Sequence, residues 1–138
     1  MDWKLEVVVV PVSDVDRARD FYTEKAGFHL DVDHSAGEDF RVVQLTPPGS
    51  ACSITLMHNA EVPGSVRGLH LVVPDIEAAR AELAGRGVDV SEIRHLESGK
   101  WVPGPSPERR DYESFADFRD PDGNSWVLQE VRRGQPGA

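Results

Sequence analysis

Three shortages limit what this chain of 138 residues can be. It has a single cysteine, Cys52, so no disulfide can form within the chain, and a reducing compartment is expected. It has no apolar run long enough to cross a bilayer. Its first residues, MDWKLEVVVV, lack the basic start and long apolar stretch of a secretion signal. These shortages predict a soluble cytoplasmic protein that has no membrane partner.

Basic residues are also few, with 15 Lys and Arg against 24 Asp and Glu, which gives a formal net charge of −9. Proteins that bind nucleic acids need clustered Lys and Arg to neutralise phosphates, so we expect no nucleic-acid partner. The excess of acidic residues is most simply a means of solubility, and a cationic ligand is the alternative. The hydrophobic content of 39% and charged content of 28% are typical of a globular domain.

Although it lacks these features, the chain contains an internal repeat. The stretch VSDVDRAR begins at Val12, and the similar stretch VPDIEAAR begins at Val73. The second copy keeps Asp14 as Asp75 and keeps the apolar and small residues at the same spacing. A repeat of this length indicates two copies of one structural unit.

Each copy is predicted to be a helix that follows a strand. The segments LEVVVVPV and LHLVV precede the two copies and are rich in β-branched residues, as buried strands are. Ser13 is placed to cap the first helix, and Pro74–Asp75 starts the second. Gly27 and Gly87 stand where a residue with a left-handed backbone ends a helix.

Three further strands are predicted after each helix. They are FHLDVDH, FRVVQLT and ACSITLMH in the first half, and VDVSEI, SFADFR and SWVLQEV in the second. The turns PPGS and DPDG carry Pro and Gly at matching places. The sequence therefore predicts an α+β fold of two βαβββ modules, residues 1–62 and 63–138, which together form one domain.

Residues 95–114 interrupt the second module. This stretch is long, rich in Pro and Gly and without periodicity, so it is either a functional loop or a disordered insertion. The final residues, RRGQPGA, are predicted to be a frayed tail.

The two βαβββ modules, with VSDVDRARDFY in the first and FRDPDGNSWVLQE in the second, resemble the vicinal oxygen chelate (VOC) superfamily. This superfamily contains glyoxalase I, extradiol dioxygenases, fosfomycin-resistance enzymes and bleomycin-binding proteins. The resemblance runs from about Leu5 to Val131. It implies a VOC (glyoxalase-like) barrel, in which the concave faces of the modules enclose a pocket, and a homodimer. Because this fold hosts many chemistries, function has to be argued from the site.

The resemblance also implies where a metal would bind. Metal-dependent members carry His, Gln or Glu ligands at positions that correspond to Val7, Gly68 and Val127, and to either Ser53 or Thr55. The first three have no donor atom in the side chain, and a neutral hydroxyl is a poor ligand. A catalytic ion needs about three protein ligands. We therefore expect no metal and no cofactor.

Several polar side chains remain near these positions. Alternation along a strand places His70, Thr55 and Gln129 on the same face as the implied ligands, and Ser53 stands at one of the ligand positions. His70 is the candidate catalytic residue, because its repeat partner is the apolar Val9. An imidazole can act as an acid or base, or can hold a ligand by a hydrogen bond. The alternative is a buried histidine bonded to a backbone carbonyl.

The long loop supplies three further candidate ligand contacts, Trp101, Arg109 and Tyr112. Aromatic rings with arginine at the mouth of a pocket are typical of sites for planar or anionic organic molecules. Phe115, just after this loop, is predicted to lie in the core.

Three functions remain open. The first is a metal-independent protein that binds a small organic molecule, in drug or metabolite sequestration or antibiotic resistance. The second is a metal-free isomerase, cyclase or lyase in which His70 is the acid or base. A metal-dependent glyoxalase or extradiol dioxygenase is the least favoured, because the ligand positions lack donors. Whether the protein is an enzyme stays open, and the expected partners are a small organic molecule and a second copy of the chain.

Overall fold

The structure is a computed structural model that describes residues 1–38 and 40–132. The chain divides into two compact units. Unit 1 comprises residues 1–66 together with 120–124, and unit 2 comprises residues 67–119 together with the chain from Ser125 onwards. The sequence predicted a module boundary between residues 62 and 63. This boundary stays a prediction.

Among its described residues, unit 1 contains four strands and one α-helix. They are β1 Val7–Val12, α1 Val15–Asp20, β2 His29–Ser35, β3 Arg41–Thr46 and β4 Ser53–His58. The sheet order is β1-β4-β3-β2, with β1 parallel to β4 and the other pairs antiparallel. A π-helical turn, Phe21–Lys25, continues α1, and Gly27 follows with a φ of 80°. The predicted strand–helix–three-strand order is therefore confirmed in this unit.

Unit 2 repeats this arrangement with one strand more. Its elements are β5 Leu69–Val73, α2 Ile76–Gly85, β6 Arg94–Glu97, β7 Lys100–Pro103, β8 Ser114–Arg119 and β9 Ser125–Glu130. The sheet order is β5-β9-β8-β6-β7, with β5 parallel to β9. The first four strands in this order correspond to the four of unit 1, and β7 is added at the edge. The second module is therefore βαβββ with one extra strand.

The repeated aspartates prove to be the helix caps. The Asp14 carboxylate accepts a hydrogen bond from the Arg17 amide at 3.1 Å, and Asp75 accepts one from the Ala78 amide at the same distance. The prediction that Ser13 caps α1 is wrong, because its hydroxyl instead donates to Asp122. A carboxylate at this position satisfies an amide that the helix leaves unpaired, so both copies keep it.

The prediction that VDVSEI, residues 88–93, forms a strand is also wrong. Residues 88–93 form no strand, although Val90 is buried. The guanidinium of Arg80 donates to the backbone carbonyls of Val90 and Ser91, at 3.3 and 2.7 Å. These carbonyls are therefore bonded to a side chain of α2 instead of a neighbouring strand.

The predicted irregular loop at residues 95–114 begins with a hairpin, so that prediction needs correction. Ser98 and Gly99 both have positive φ values, 49° and 77°, and join β6 to β7. Two residues with positive φ form the tight turn whose twist matches that of the flanking strands. The hairpin places Trp101 on a strand, and residues 104–113 are the part that remains irregular.

Within unit 1, the DPDGN turn is held by a network of buried polar groups. One oxygen of Asp120 accepts bonds from the amides of Asp122 and Asn124, and the other accepts from the hydroxyl of Tyr22 at 2.7 Å. The side-chain amide of Asn124 donates to the carbonyl of Pro11 at 2.9 Å. Because Tyr22, Asp120 and Asn124 are buried, replacing one of them would leave buried polar groups without a hydrogen-bond partner.

In each sheet one face packs against a helix and the other face is open. In unit 1, α1 packs near β4, and in unit 2, α2 packs near β8 and β9. In unit 2 the covered face buries Trp126 and Phe118, whose rings stack at 6.0 Å with an interplanar angle of 5°. The open faces carry the side chains that alternate with these buried ones.

Within the described part of the chain, neither helix is long and apolar enough to cross a membrane. Of the tail predicted to fray from Arg132, residues 133–138 lie outside the described residues.

Candidate functional site

The positions at which the VOC resemblance implies metal ligands do not fit a divalent metal ion. Val7 and Ser53 are direct cross-strand neighbours in unit 1. In unit 2, Val127 is the cross-strand neighbour of His70, and Gly68 lies just before β5. Hydrocarbon side chains and a glycine offer no oxygen, nitrogen or sulfur ligand. Among residues 1–38 and 40–132, no group of three or more His, Cys, Asp or Glu is placed to hold a metal.

The two predicted contacts of unit 1 lie on its open face but are engaged within the protein. The Ser53 hydroxyl is 2.6 Å from that of Thr46, which in turn donates to Asp31. Ser53 is only 6% exposed. The Thr55 hydroxyl donates to the carbonyl of Val43 at 3.3 Å. These side chains are therefore structural partners in this unit, and their role as ligand contacts stays a prediction.

The open face of unit 2 brings together most of the other predicted residues. Strand register and alternation place the following side chains on it: His70 and Val72 of β5, Ser125, Val127 and Gln129 of β9, Phe115, Asp117 and Arg119 of β8, Arg94 and Leu96 of β6, and Trp101 of β7. Three of the residues predicted from sequence, His70, Gln129 and Trp101, thus share one surface. Tyr112 joins them through a backbone contact described below.

His70 is exposed on this face and its ring is oriented by the backbone. Nδ1 lies 2.7 Å from the carbonyl oxygen of Gly68. A carbonyl can only accept, so Nδ1 carries the proton in the neutral ring and the lone pair is on Nε2. The Gly68 amide is held in turn by the hydroxyl of Ser125 at 2.8 Å. The sequence analysis gave a buried histidine bonded to a backbone carbonyl as the alternative for His70. The bond to a carbonyl is present, but the side chain is not buried.

Gln129 and Tyr112 are in direct contact. The side-chain nitrogen of Gln129 donates to the Tyr112 carbonyl at 3.2 Å, and the Tyr112 amide donates to the Glu130 carbonyl at 2.8 Å. Tyr112 has a φ of 69°, which is unfavourable for a residue with a side chain. The bonds on either side of it hold this conformation, and strained residues held in this way often occur at functional sites.

Trp101 offers a large apolar surface on this face. Its ring is 53% exposed, meets Phe115 edge-on at 5.6 Å and has the Arg94 guanidinium 4.7 Å from its centre. Arg94 is paired with Asp117 at 2.9 Å. A mainly apolar groove of about 400 Å³ runs beside Trp101, lined by residues that include Ile93. A fixed, half-exposed indole beside a groove of this size can stack on a flat ring.

Arg109 has different partners from those expected at a pocket mouth. Its guanidinium forms two hydrogen bonds, of 2.8 and 2.6 Å, to the carboxylate of Glu130, which is 0% exposed on the helix-facing side. It also bonds to Glu77 at 2.7 Å, and the Ile76 amide donates to the same Glu130 carboxylate at 2.9 Å. Arg109 therefore ties residues 104–113 to the start of α2, and its contact with a ligand stays a prediction.

Because of this ion pair, we expect the free energy of unfolding to depend on pH. Burial acts to raise the pKa of Glu130, but the hydrogen bonds from Arg109 and Ile76 outweigh it and hold the pKa below its ordinary value of 4.5. The stabilisation is therefore present above that value and is lost as the pH falls through the lower pKa of the folded state. In urea unfolding between pH 7 and pH 3, Glu130→Gln should be less stable at pH 7 and lose less stability on acidification. Parallel pH curves for the two proteins would contradict this.

The residues of the open face that sequence reasoning missed include Arg94, Phe115 and Asp117. The prediction that Phe115 lies in the core is wrong, because Ala116 and Phe118 fill the covered face and Phe115 alternates with them. The alternation in SFADFR was the available signal. Nothing in the sequence brings Arg94 to Trp101, because that contact depends on the register of the hairpin.

Comparison with known proteins agrees with this architecture. Residues 4–128 match the family model of the Glyoxalase/Bleomycin resistance protein/Dioxygenase superfamily. The chain belongs to this family, and the resemblance to VOC proteins is confirmed.

Individual relatives cover nearly the whole chain. The crystal structure of TnmS3, described as an antibiotic binding protein from Streptomyces sp. CB03234, is 34% identical with a TM-score of 0.72, and the match covers 94% of this chain and 96% of that one. A glyoxalase/bleomycin resistance protein from the same Streptomyces is 36% identical with a TM-score of 0.69, over 91% and 99%. An uncharacterized protein of Shewanella frigidimarina (strain NCIMB 400) is 31% identical over 94% of each chain. The structural neighbours thus include an antibiotic-binding protein.

Proposed function

We propose that this protein binds a flat aromatic small molecule on the open face of unit 2, and that it sequesters an antibiotic or a related metabolite. The observation that carries the proposal is the ring of Trp101, held half-exposed by Phe115 and Arg94 next to an apolar groove. A large exposed indole on a rigid strand offers contact area at a low entropic cost.

The neighbouring protein TnmS3 supports this proposal by its described property of antibiotic binding, at 34% identity. The proposal further holds that binding is independent of metal, because the implied ligand positions Val7, Gly68 and Val127 carry no donors. Binding should therefore be unchanged by a chelator. A homodimer, a cytoplasmic location and the lack of a cofactor stay predictions.

The test is a calorimetric titration with two probes of the same carbon skeleton, flat naphthalen-2-ol and its saturated analogue decahydronaphthalen-2-ol. We expect the flat probe to bind more tightly, because only it can stack on Trp101. Trp101→Ala should weaken its binding by about tenfold or more, the loss expected when a central aromatic anchor is removed.

Trp3→Ala is the matched control, since Trp3 is 89% exposed and lies before β1 in unit 1. It should leave the affinity unchanged. Equal affinities for the two probes, or equal losses in the two tryptophan variants, would show that Trp101 is not the binding platform.

The second candidate function is a metal-free isomerase, cyclase or lyase in which His70 is the acid or base. The observation in its favour is the bond from Nδ1 to Gly68, which leaves Nε2 with the lone pair on the same face as Trp101. The two candidates differ in what becomes of a bound molecule. A ligand recovered unchanged supports sequestration, whereas a product whose formation depends on His70 supports the enzyme.

A further inference from the structure

His95 is a buried histidine to which neither candidate function gives a role. It belongs to β6 and is only 4% exposed. Its side chain lies on the covered side of the unit 2 sheet, together with that of its cross-strand neighbour Ser114. An imidazole that is kept from water in this way needs a partner for each N–H group that it carries.

Each ring nitrogen of His95 lies beside an oxygen atom that can only accept. Nδ1 is 2.7 Å from the backbone carbonyl of Gly104, and Nε2 is 3.2 Å from Oε1 of Glu97. A neutral ring has one N–H group, so in either tautomer one nitrogen turns its lone pair towards an oxygen. Among the described residues, Nε2 has no hydrogen-bond partner, although Glu97 is within the distance of an ion pair. Only the doubly protonated ring interacts favourably with both oxygens.

The charges on the side of Nε2 are mainly negative. A cavity of about 280 Å³ beside His95 is lined by Glu97 and, in the chain that follows β7, by Glu108, Arg110 and Glu113. Arg110 is paired with Glu108. The carboxylates of Glu97 and Glu113 both act on His95 and favour a positive charge there.

The other elements around this histidine change that balance little. Lys100 of β7 is the cross-strand neighbour of Glu97 and is the cation that opposes a charge on the ring. The neighbour on β8, Ser114, is uncharged. On α2, which packs near β8, Glu77 is paired with Arg109 at 2.7 Å.

Through Gly104, His95 holds the first residue of the irregular segment 104–113. The Gly104 amide donates to the carbonyl of Ile93 at 2.8 Å, so both of its backbone groups are bonded next to β6. Two residues later, the amide of Ser106 donates to the hydroxyl of Ser114 at 2.9 Å. His95 therefore joins β6 to the start of this segment.

We propose that His95 is a proton-dependent switch that fixes the start of segment 104–113 to β6. When Nε2 takes up a proton, the imidazolium pairs with the carboxylate of Glu97 and keeps its bond to the Gly104 carbonyl. When that proton is lost, a lone pair faces one of the two oxygens and the segment opens more readily. This switch goes beyond the proposed function, because no ligand takes part in it.

The direction of the pH dependence follows from the same contacts. The hydrogen bond to Gly104 and the carboxylate of Glu97 raise the pKa of His95 above its ordinary value of 6.5, and burial opposes them only in part. A raised pKa contributes stability that is fully present below the ordinary value and is lost as the pH rises through the pKa of the folded state. We therefore expect the segment to be held most firmly in mildly acidic solution and less firmly in alkaline solution.

The test follows His95 and the segment together by NMR of the unmodified protein, from about pH 5.5 to about pH 9. We expect the imidazole to titrate above its ordinary value of 6.5. Over the same range, the amides of Ser106 and Arg109, both hydrogen-bonded in the structure, should exchange severalfold faster with water, after correction for the exchange of an unstructured chain at each pH. A ring that titrates at or below its ordinary value, or corrected exchange that does not follow the titration, would overturn the switch.

Two variants identify the contact. Glu97→Gln keeps the size of the side chain and removes its charge, so it should lower the pKa of His95 and reduce the change in exchange. His95→Gln keeps an N–H donor for Gly104 but cannot titrate, so the corrected exchange should not change with pH. His58→Gln, at an exposed histidine of unit 1, is the control and should behave like the unmodified protein.

The variants can also contradict the proposal. An unchanged titration of His95 in Glu97→Gln would show that the carboxylate does not hold the proton. A pH dependence of exchange that persists in His95→Gln would assign it to another group. Because the first measurement uses the unmodified protein, it does not depend on whether either variant folds.

Discussion

Replacing Arg109 by methionine is expected to lower the free energy of unfolding by about 3–5 kcal/mol, the usual loss when one partner of a buried ion pair is removed. The carboxylate of Glu130 is fully buried, and Arg109 supplies two of its hydrogen bonds. Without the guanidinium, the charge keeps the amide of Ile76 and the more distant Arg132 at 3.7 Å. The loss is measured by urea unfolding at pH 7.

The neighbouring Arg110 provides a matched control. Its side chain is 64% exposed and paired with the exposed Glu108, so Arg110→Met should change stability by no more than about 0.5 kcal/mol. The double variant Arg109→Met/Glu130→Leu, which removes both charges, should recover much of the loss. If Arg109→Met were as stable as Arg110→Met, the ion pair would be shown to contribute nothing net.

Replacing Gly64 by alanine is expected to destabilise unit 1 by about 3 kcal/mol or more, through overpacking against a rigid backbone together with a left-handed conformation. Gly64 has a φ of 73°, and a Cβ atom at this position would lie 2.0 Å from the carbonyl oxygen of Asp122. The Gly64 amide is also bonded to the carbonyl of Pro11 at 3.0 Å, so the chain cannot move away without losing that bond.

Gly68→Ala separates the two causes. Gly68 has the same φ of 73°, but a Cβ atom there would meet nothing within 4 Å. It should therefore cost only the conformational part, about 1 kcal/mol. The difference between the two variants in urea unfolding measures the contact with Asp122. Equal losses would mean that the turn around Asp122 moves aside freely.

Much of the fold could be predicted because its signals are local. The repeat around Asp14 and Asp75 marked two equivalent helix starts, and in the structure both carboxylates cap their helices. Strands β5 and β8 have the bounds that the apolar runs predicted. Gly27 and Gly87 have the positive φ values expected of residues that end helices. Capping, alternation and chirality involve neighbouring residues, so a sequence reports them directly.

The failures involve competition between partners that are far apart in the chain. Ser13 and Asp14 are both good caps, and the choice between them depends on Asp122, which takes the serine hydroxyl. The segment around Val90 has the composition of a strand, but Arg80 of α2 takes its carbonyls. The sequence shows which hydrogen bonds a residue is able to form. The partners that the fold brings next to it determine which of these bonds it forms.

In the candidate site, too, local features could be predicted from the sequence and contacts between distant segments could not. The sequence by itself determined the family and the strand–helix order of the two modules, since each follows from residue types at given spacings. The absence of donor side chains at Val7, Gly68 and Val127 can also be read from the sequence, and what it means for metal binding stays a prediction. Only the tertiary structure decided that Arg109 meets the buried Glu130, and that Trp101 rests against Arg94 and Phe115. Those contacts depend on strand register and on which charge is buried. Both are properties of packing between distant segments, and no local pattern encodes them.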